Sequence, residues 1–207
     1  MKKVYKVIKR VLDILISLIG IILLLPIFLL IAIVIKLDSK GKAFYLQERI
    51  KKDGKKFNII KFRTMVHDAD KRLEEFSKEQ LEEYKINYKL NNDPRITKVG
   101  KFLRKSGLDE LPQLINVLKG DLSLIGPRPV VLDEVERYKE DKEKLLSVRP
   151  GITGYWCAFS DENTTYEERM KMELYYIENI SLGLDIKIVF RTIAVIFLRV
   201  INKRKVN

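Results

Sequence analysis

The chain has 207 residues with 46% hydrophobic content, enough to bury one core, and sets 40 Lys and Arg against 28 Asp and Glu for a formal charge of +12. That balance points to an anionic partner, and composition alone leaves nucleic acid, a phosphorylated substrate and an anionic membrane face all open. A single cysteine, Cys157, excludes an internal disulfide, and with a single histidine, His67, it argues against a His/Cys zinc cage and for a reducing, cytosolic setting.

Ile14 to Ile35 is an uncharged apolar run of 22 residues, long enough as a helix to cross a bilayer core of ~30 Å. It is long for a signal peptide and no small-x-small cleavage site follows it. Pro26 lies in its middle, where it removes a helix hydrogen bond and predicts a kink. Both flanks are basic: Lys2, Lys3, Lys6, Lys9 and Arg10 before, Lys36, Lys40 and Lys42 after. A spanning helix usually has one basic end, so two basic ends favour a re-entrant segment that returns to the same face. Spanning is the other reading.

No linker or repeat divides the remainder, so one polar domain is expected. Lys42 to Arg49 and Phe57 to Phe62 read as strands around the turn Lys52-Asp53-Gly54-Lys55. Asp68 to Leu90 reads as a charged helix whose Leu73, Phe76, Leu81, Tyr84 and Tyr88 give only a partial apolar face. Asp133 to Leu146 reads as a surface helix, Glu167 to Tyr176 as another, and Asn179 to Gly183 as a loop. The last helix, Asp185 to Val200, interleaves Ile186, Val189, Phe190, Ile193, Ile196 and Phe197 with Lys187, Arg191 and Arg199 and runs into Lys203-Arg204-Lys205. It can pack on the core, lie in a membrane interface, or do both with different faces.

The richest stretch is Arg104 to Pro129, RKSGLDELPQLINVLKGDLSLIGPRP. Ser106 and Asp109 form an S-x-x-D capping pattern, Pro112 suits a first turn, and Leu111, Leu114, Ile115 and Leu118 share a face before Gly120. This predicts a helix with Asp109 and Glu110 at its positive end, where carboxylates stay ionised. Consecutive residues diverge by about 100°, so the two can take different jobs. Acidic residues in a first turn are also ordinary dipole complements. What adds weight is Gly126-Pro127-Arg128-Pro129, where prolines restrict the backbone around a guanidinium suited to phosphate. Neither a G-x-G-x-x-G nor a G-x-x-x-x-G-K-[ST] motif occurs, so phosphates would be held by side chains: Lys61 and Arg63 in KFRTM, Arg95, Arg104, Arg128, and Arg149 before Pro150-Gly151.

LDELPQLINVLKGDLSLIGPRP resembles the signature of the bacterial sugar transferases called monotopic phosphoglycosyl transferases. KFRTM at Lys61 to Met65, DPRITKVGKFLRKSG at Asp93 to Gly107 and RPGITG at Arg149 to Gly154 follow in the family's order, and the likeness runs from about Lys9 to Thr192. It implies an α+β fold: a basic flank and re-entrant membrane helix over 1–37, kinked at Pro26, then a cytoplasmic catalytic domain over 38–207 with helices, a small β-hairpin or sheet, and amphipathic interfacial helices. The Ser that often precedes the kink proline in the family is Leu25 here.

The implied reaction moves a phosphosugar from a UDP-sugar to polyprenol (undecaprenyl) phosphate at the cytoplasmic face of the bacterial inner membrane and releases UMP. It would open the synthesis of a capsule, exopolysaccharide, O-antigen or glycoprotein glycan. Asp109 is the implied nucleophile, forming an aspartyl-phosphosugar. Glu110 is the implied Mg2+ ligand, and Arg128 would orient phosphates near the metal. No nucleic-acid partner is expected, and the sugar and the oligomeric state are not legible.

After RPGITG the family usually continues close to W-Q-V-S-G-R-N, whereas Tyr155 to Asn163 here is one residue longer and carries Glu162 where an arginine is common. That removes a cation from an expected nucleotide-sugar contact. Cys157 reads as a small buried filler. Two other classes remain: a membrane-tethered protein binding anionic lipid or nucleic acid, and an inactive scaffold of the same fold. The chain lacks the clustered basic and aromatic pattern of an RNA-binding module.

Overall fold

The computed structural model describes residues 3–87, 90, 93–161 and 163–202. Lys2, Tyr88, Glu162 and the basic end Lys203-Arg204-Lys205 lie outside the described residues, as do the side chains of Tyr84 and Arg199. The protein is helix-rich, with two small two-stranded sheets and one long apolar N-terminal helix, α1 (Lys3–Asp38), which has Pro26 inside it. Two compact units divide the chain: Met1–Leu24, Leu46–Ile60 and Pro112–Asn207 form one, Leu25–Tyr45 and Lys61–Leu111 the other. The division falls within α1, next to Pro26, rather than at its end. The predicted hairpin is present as β1 (Phe44–Ile50) and β2 (Lys56–Phe62), with Asp53 and Gly54 at positive φ in the turn between them.

In the first unit, polar residues dock the start of α1. Tyr5 and Lys9 donate to Asp185 at 2.6 and 2.7 Å, Arg10 donates to the carbonyls of Val117 and Leu118 at 2.7 and 3.0 Å, and buried Asp13 accepts from the Leu124 N–H at 3.0 Å. Two of the flanking cations thus serve the fold directly. The Arg10 contact places a cation on the last carbonyls of α4 (Gln113–Lys119), where the helix dipole favours it. β3 (Ser123–Ile125) and β4 (Gly151–Thr153) pair in parallel and bring GPRP against RPGITG. The Gly126 N–H donates to the Thr153 carbonyl and the Gly151 N–H to the Pro127 carbonyl. A Cβ on Gly151 would lie 2.1 Å from the Gly126 nitrogen, so this backbone approach requires glycine.

Helices cover that centre. The predicted helix over 133–146 is α5 (Leu132–Arg137) and α6 (Lys142–Leu146), separated because Lys139 takes a left-handed φ of 47°. The short α7 (Tyr155–Phe159) leads to α8 (Tyr166–Glu178), which starts on a Thr165/Glu168 capping box. In α9 (Leu182–Asn202) one face is buried through Asp185 and Ile188, while Phe190, Ile193 and Phe197 are exposed. Packing on the core therefore accounts for one face of this helix only. Val130, Val135, Tyr138 and Leu145 form one apolar cluster with Ile50, and Ile125, Ala158, Tyr176 and Ile188 form another.

In the second unit, Phe62 takes Phe28 edge-on at 5.6 Å and stacks on Phe44 at 5.2 Å. The expected helix over 68–90 is instead a 3-10 turn (Lys71–Glu75) followed by α2 (Lys78–Asn87). Ser77 separates them: its hydroxyl accepts from the Gln80 N–H and Gln80 returns a bond to the Ser77 N–H, a capping box inside the charged run. α3 (Lys98–Ser106) starts on Thr97, whose side chain accepts from the Gly100 N–H, and ends on Gly107 at φ 72°.

The close approach at β3–β4 makes a stability prediction. Gly151→Ala is expected to destabilise the protein by about 1–3 kcal/mol, since overpacked backbone must shift. Gly183→Ala, where a Cβ meets nothing within 4 Å inside α9, is expected to be neutral or to stabilise by up to about 1 kcal/mol. Thermal unfolding of the two variants checks this. Equal midpoints would contradict it.

Candidate active site

The site assembles within the second unit. Val66 N–H donates to the Arg95 carbonyl and Thr97 N–H to the Thr64 carbonyl, so KFRTM is laced to DPRITKVG. Gly100 lets α3 press onto this strand: a Cβ there would lie 1.9 Å from the Thr64 oxygen. The side chains then meet in register. Arg104, on the last turn of α3, donates through Nε to the Thr64 hydroxyl at 2.8 Å. Gly107 turns the chain, and Leu108–Glu110 form a single 3-10 turn.

This corrects the helix predicted from Ser106. Ser106 is the last residue of α3, and its hydroxyl donates back to the carbonyls of Phe102 and Leu103 at 3.0 and 3.1 Å rather than capping a new helix. α4 begins only at Gln113 and has no acidic residue in its first turn. Asp109 and Glu110 are therefore held by the 3-10 turn and by side-chain charges, without the dipole of α4.

Those charges come from Lys61 and Arg104. Lys61 Nζ lies 3.0 Å from Glu110 Oε1. Asp109 is half-buried, and its pKa is pushed up to about 6, first by burial and then by the adjacent Glu110, with Lys61 and Arg104 pulling it back. The result is a carboxylate that is ionised at neutral pH yet more basic than an ordinary Asp, a combination suited to nucleophilic attack on a phosphorus atom.

The other basic candidates have partners that narrow their use. The buried Arg63 donates to the carbonyls of Ser39 and Lys40, just past the end of α1, and burial holds its pKa below the usual arginine range. Arg95, 3% exposed, is clamped bidentately by Asp93 at 2.9 and 2.7 Å. Burial alone would raise the Asp93 pKa, but these bonds outweigh it and the net shift is downward. With their forks committed in this way, Arg63 and Arg95 brace the walls of the site, and Lys61 and Arg104 are the cations beside the carboxylates. Arg128 and Arg149 belong to the first unit. Arg149 Nε donates to the Gly120 carbonyl at 2.9 Å, and the exposed Arg128 sits with its guanidinium 5.7 Å from the centre of the Trp156 ring. Thr64 was hidden from sequence reasoning inside KFRTM, and Glu173, whose Oε1 accepts from the Arg128 N–H, lies in α8 with no motif to mark it.

Among the described residues no group of three or more His, Cys, Asp and Glu could hold a metal. Glu110 is 39% exposed and Lys61 engages its Oε1, which leaves it suited to a hard ion whose other ligands are substrate phosphates and water. The residues present fit Mg2+ on those terms.

Because its folded pKa is raised, Asp109 contributes stability that is full below its unfolded value near ~4 and is lost as pH rises through about 6. Asp109→Asn fixes the neutral form. The variant is expected to be more stable than wild type at pH 8 by about 1 kcal/mol after allowance for solvent screening, and equal to it at pH 4. Thermal midpoints at the two pH values check this, and a gain that does not grow with pH would contradict it.

The chain matches the bacterial sugar transferase family over residues 4–199. It is 43% identical over 193 residues to the exopolysaccharide production protein ExoY of Sinorhizobium fredii, covering 92% of this chain and 85% of that one. It is 40% identical over 201 residues to the undecaprenyl-phosphate galactose phosphotransferase of Salmonella typhimurium, covering 96% and 42%. To the UDP-glucose:undecaprenyl-phosphate glucose-1-phosphate transferase of Escherichia coli it is 38% identical over 199 residues, covering 92% and 40%. It thus spans less than half the length of the last two relatives. With a match over nearly its whole length, the chain belongs to the bacterial sugar transferase family.

Proposed function

We propose that this protein transfers a sugar phosphate from a UDP-sugar to undecaprenyl phosphate and releases UMP, as the first membrane step of a bacterial surface glycan. The observation that carries the reading is Asp109, a carboxylate of raised basicity beside Lys61 and Arg104. An Asp109 oxygen attacks the phosphorus that bears the sugar, and the bond from that phosphorus to the UMP oxygen breaks, its electron pair leaving with UMP. A phosphate oxygen of the acceptor then attacks the same phosphorus. The Asp109 carboxylate departs with its own bonding pair, and the lipid diphosphate sugar is formed. Lys61 and Arg104 stabilise the charge that gathers on the transferring phosphoryl group. Held by Glu110, a divalent ion such as Mg2+ supplies neutralisation of the donor diphosphate. Arg128 contacts the donor phosphates, the role its Pro-Arg-Pro motif implies.

The acceptor's tail stays in the bilayer, so the chemistry must sit at the membrane surface. α1 is the one described helix long and apolar enough to cross a membrane. We read it as re-entrant, with the rest of the chain on the cytoplasmic face. Basic residues flanking both of its ends support this. Lys9 and Arg10 bond to residues of α9 and α4, and the carbonyls of Ser39 and Lys40 accept from Arg63. The exposed Phe190, Ile193 and Phe197 of α9 suit the interface of the same leaflet.

Membrane-bound protein with Mg2+ is expected to release UMP from at least one member of a UDP-sugar panel, and no release from a broad panel would contradict the reading. Asp109→Asn should lower UMP release and lipid-linked product together by about a thousandfold or more, as expected for loss of a nucleophile. Glu110→Gln should retain activity that returns in part at high Mg2+. Near-normal turnover by Asp109→Asn would reject the nucleophile. For topology, cysteines introduced before Lys9 and after Lys40, in a chain whose Cys157 is replaced by Ser, should label from the same side of sealed vesicles. Labelling from opposite sides would reject the re-entrant reading.

A further inference from the structure

Pro127 and Pro129 have no N–H, so the Arg128 N–H is the one backbone donor of the Pro-Arg-Pro tripeptide. Glu173 of α8 takes it, with Oε1 at 3.0 Å. Glu173 is 1% exposed, and its Oε2 has no partner among the described residues. A carboxyl this deep in a core is costly to keep unless it does something for its neighbours. Its neighbours are charged. Arg169, one turn earlier on the same face of α8, is also buried, with Nη1 3.3 Å from Glu134 Oε1. The guanidinium groups of Arg169 and Arg128 lie 5.0 and 5.7 Å from the centre of the same Trp156 ring.

We infer that Glu173 is the positioning residue for Arg128: it fixes the backbone of the Pro-Arg-Pro turn through that single donor, and Trp156 receives the guanidinium, so that Arg128 is preset for the phosphates of the donor nucleotide. The inference rests on the role given to Arg128 above. Burial pushes the Glu173 pKa up to about 7, with the Arg128 N–H and the charges of Arg169 and Arg128 pulling it down. The tether does not depend on which form is present, because a protonated carboxyl keeps an acceptor oxygen.

Reach and charge can be separated at this position. Glu173→Gln keeps the reach of the acceptor and removes the charge, while Glu173→Asp keeps the charge and draws the oxygen back by one methylene. With UDP as the probe, calorimetry on bilayer-embedded protein should find Glu173→Gln within about twofold of wild type and Glu173→Asp weaker by about tenfold, the scale of one hydrogen bond to a charged group. Placed in an Arg128→Ala background, Glu173→Asp should cost no more than Arg128→Ala alone.

Trp156 is the chain's only tryptophan, so its emission gives a second readout: Glu173→Asp should shift it toward that of Arg128→Ala, and Glu173→Gln should not. Wild-type affinity in Glu173→Asp overturns the inference, and so does the same tenfold loss with and without Arg128, which is what a merely structural role predicts. If Glu173→Asp does not fold, Glu173→Gln decides, and a tenfold loss there overturns it. Absence of UDP binding to wild type also overturns it. If the cycle behaves as expected while no UDP-sugar yields UMP, the transfer reading fails and the positioning role stands.

Discussion

Two carboxylates on consecutive residues repel each other, and the site depends on how that repulsion is held in check. Asp109 and Glu110 share one 3-10 turn, half-buried, with Lys61 and Arg104 as the compensating cations. The compensation is incomplete and uneven. Glu110 has an ammonium group at 3.0 Å, whereas Asp109 is left with a raised pKa. A fully neutralised pair would be two ordinary acids. Burial first and the adjacent Glu110 second raise the Asp109 pKa, and Lys61 and Arg104 pull it back only in part.

Rigidity around this turn comes from buried arginines. Arg63 bonds to the carbonyls at the end of α1, and Arg95 is locked to Asp93. In the first unit rigidity takes a different form, with two backbones rich in glycine and proline pressed together and a buried carboxylate on the lone N–H of the Pro-Arg-Pro tripeptide. Guanidinium groups serve as structural struts in both units because their planar forks donate to several oxygens at once. Several of the chain's cations are thus engaged in holding backbone and carboxylate oxygens in place.

Much of this was legible in the sequence. The apolar run, the Asp-Gly hairpin, the dyad and the order of the motifs are all local signals, and each is present. Three features do not show in the pattern of apolar and charged residues. Ser77 and Lys139 break runs that charge patterning reads as continuous helices, because a capping box and one left-handed residue outweigh composition. β3 and β4 are three residues each, too short to show a period, and exist only because glycines let their backbones meet. The six candidate phosphate-binding cations cannot be ranked from sequence for a physical reason: a sequence shows a charge but not its partner, and only the fold pairs Arg95 with Asp93 or turns Arg63 onto carbonyls. The basic flank of α1 is the same case, since Lys9 and Arg10 serve Asp185 and α4.

The central claim is that Asp109 carries the phosphosugar. It is tested most directly by incubating wild-type protein with its UDP-sugar and Mg2+ in the absence of lipid acceptor, quenching rapidly, and reading the peptide that contains Asp109 by mass spectrometry. The account predicts that this peptide gains the mass of one sugar phosphate, that UMP appears in equal amount, and that both vanish on adding undecaprenyl phosphate or in Asp109→Asn. Turnover with acceptor but no adduct and no UMP in its absence would contradict it and point to a single direct displacement.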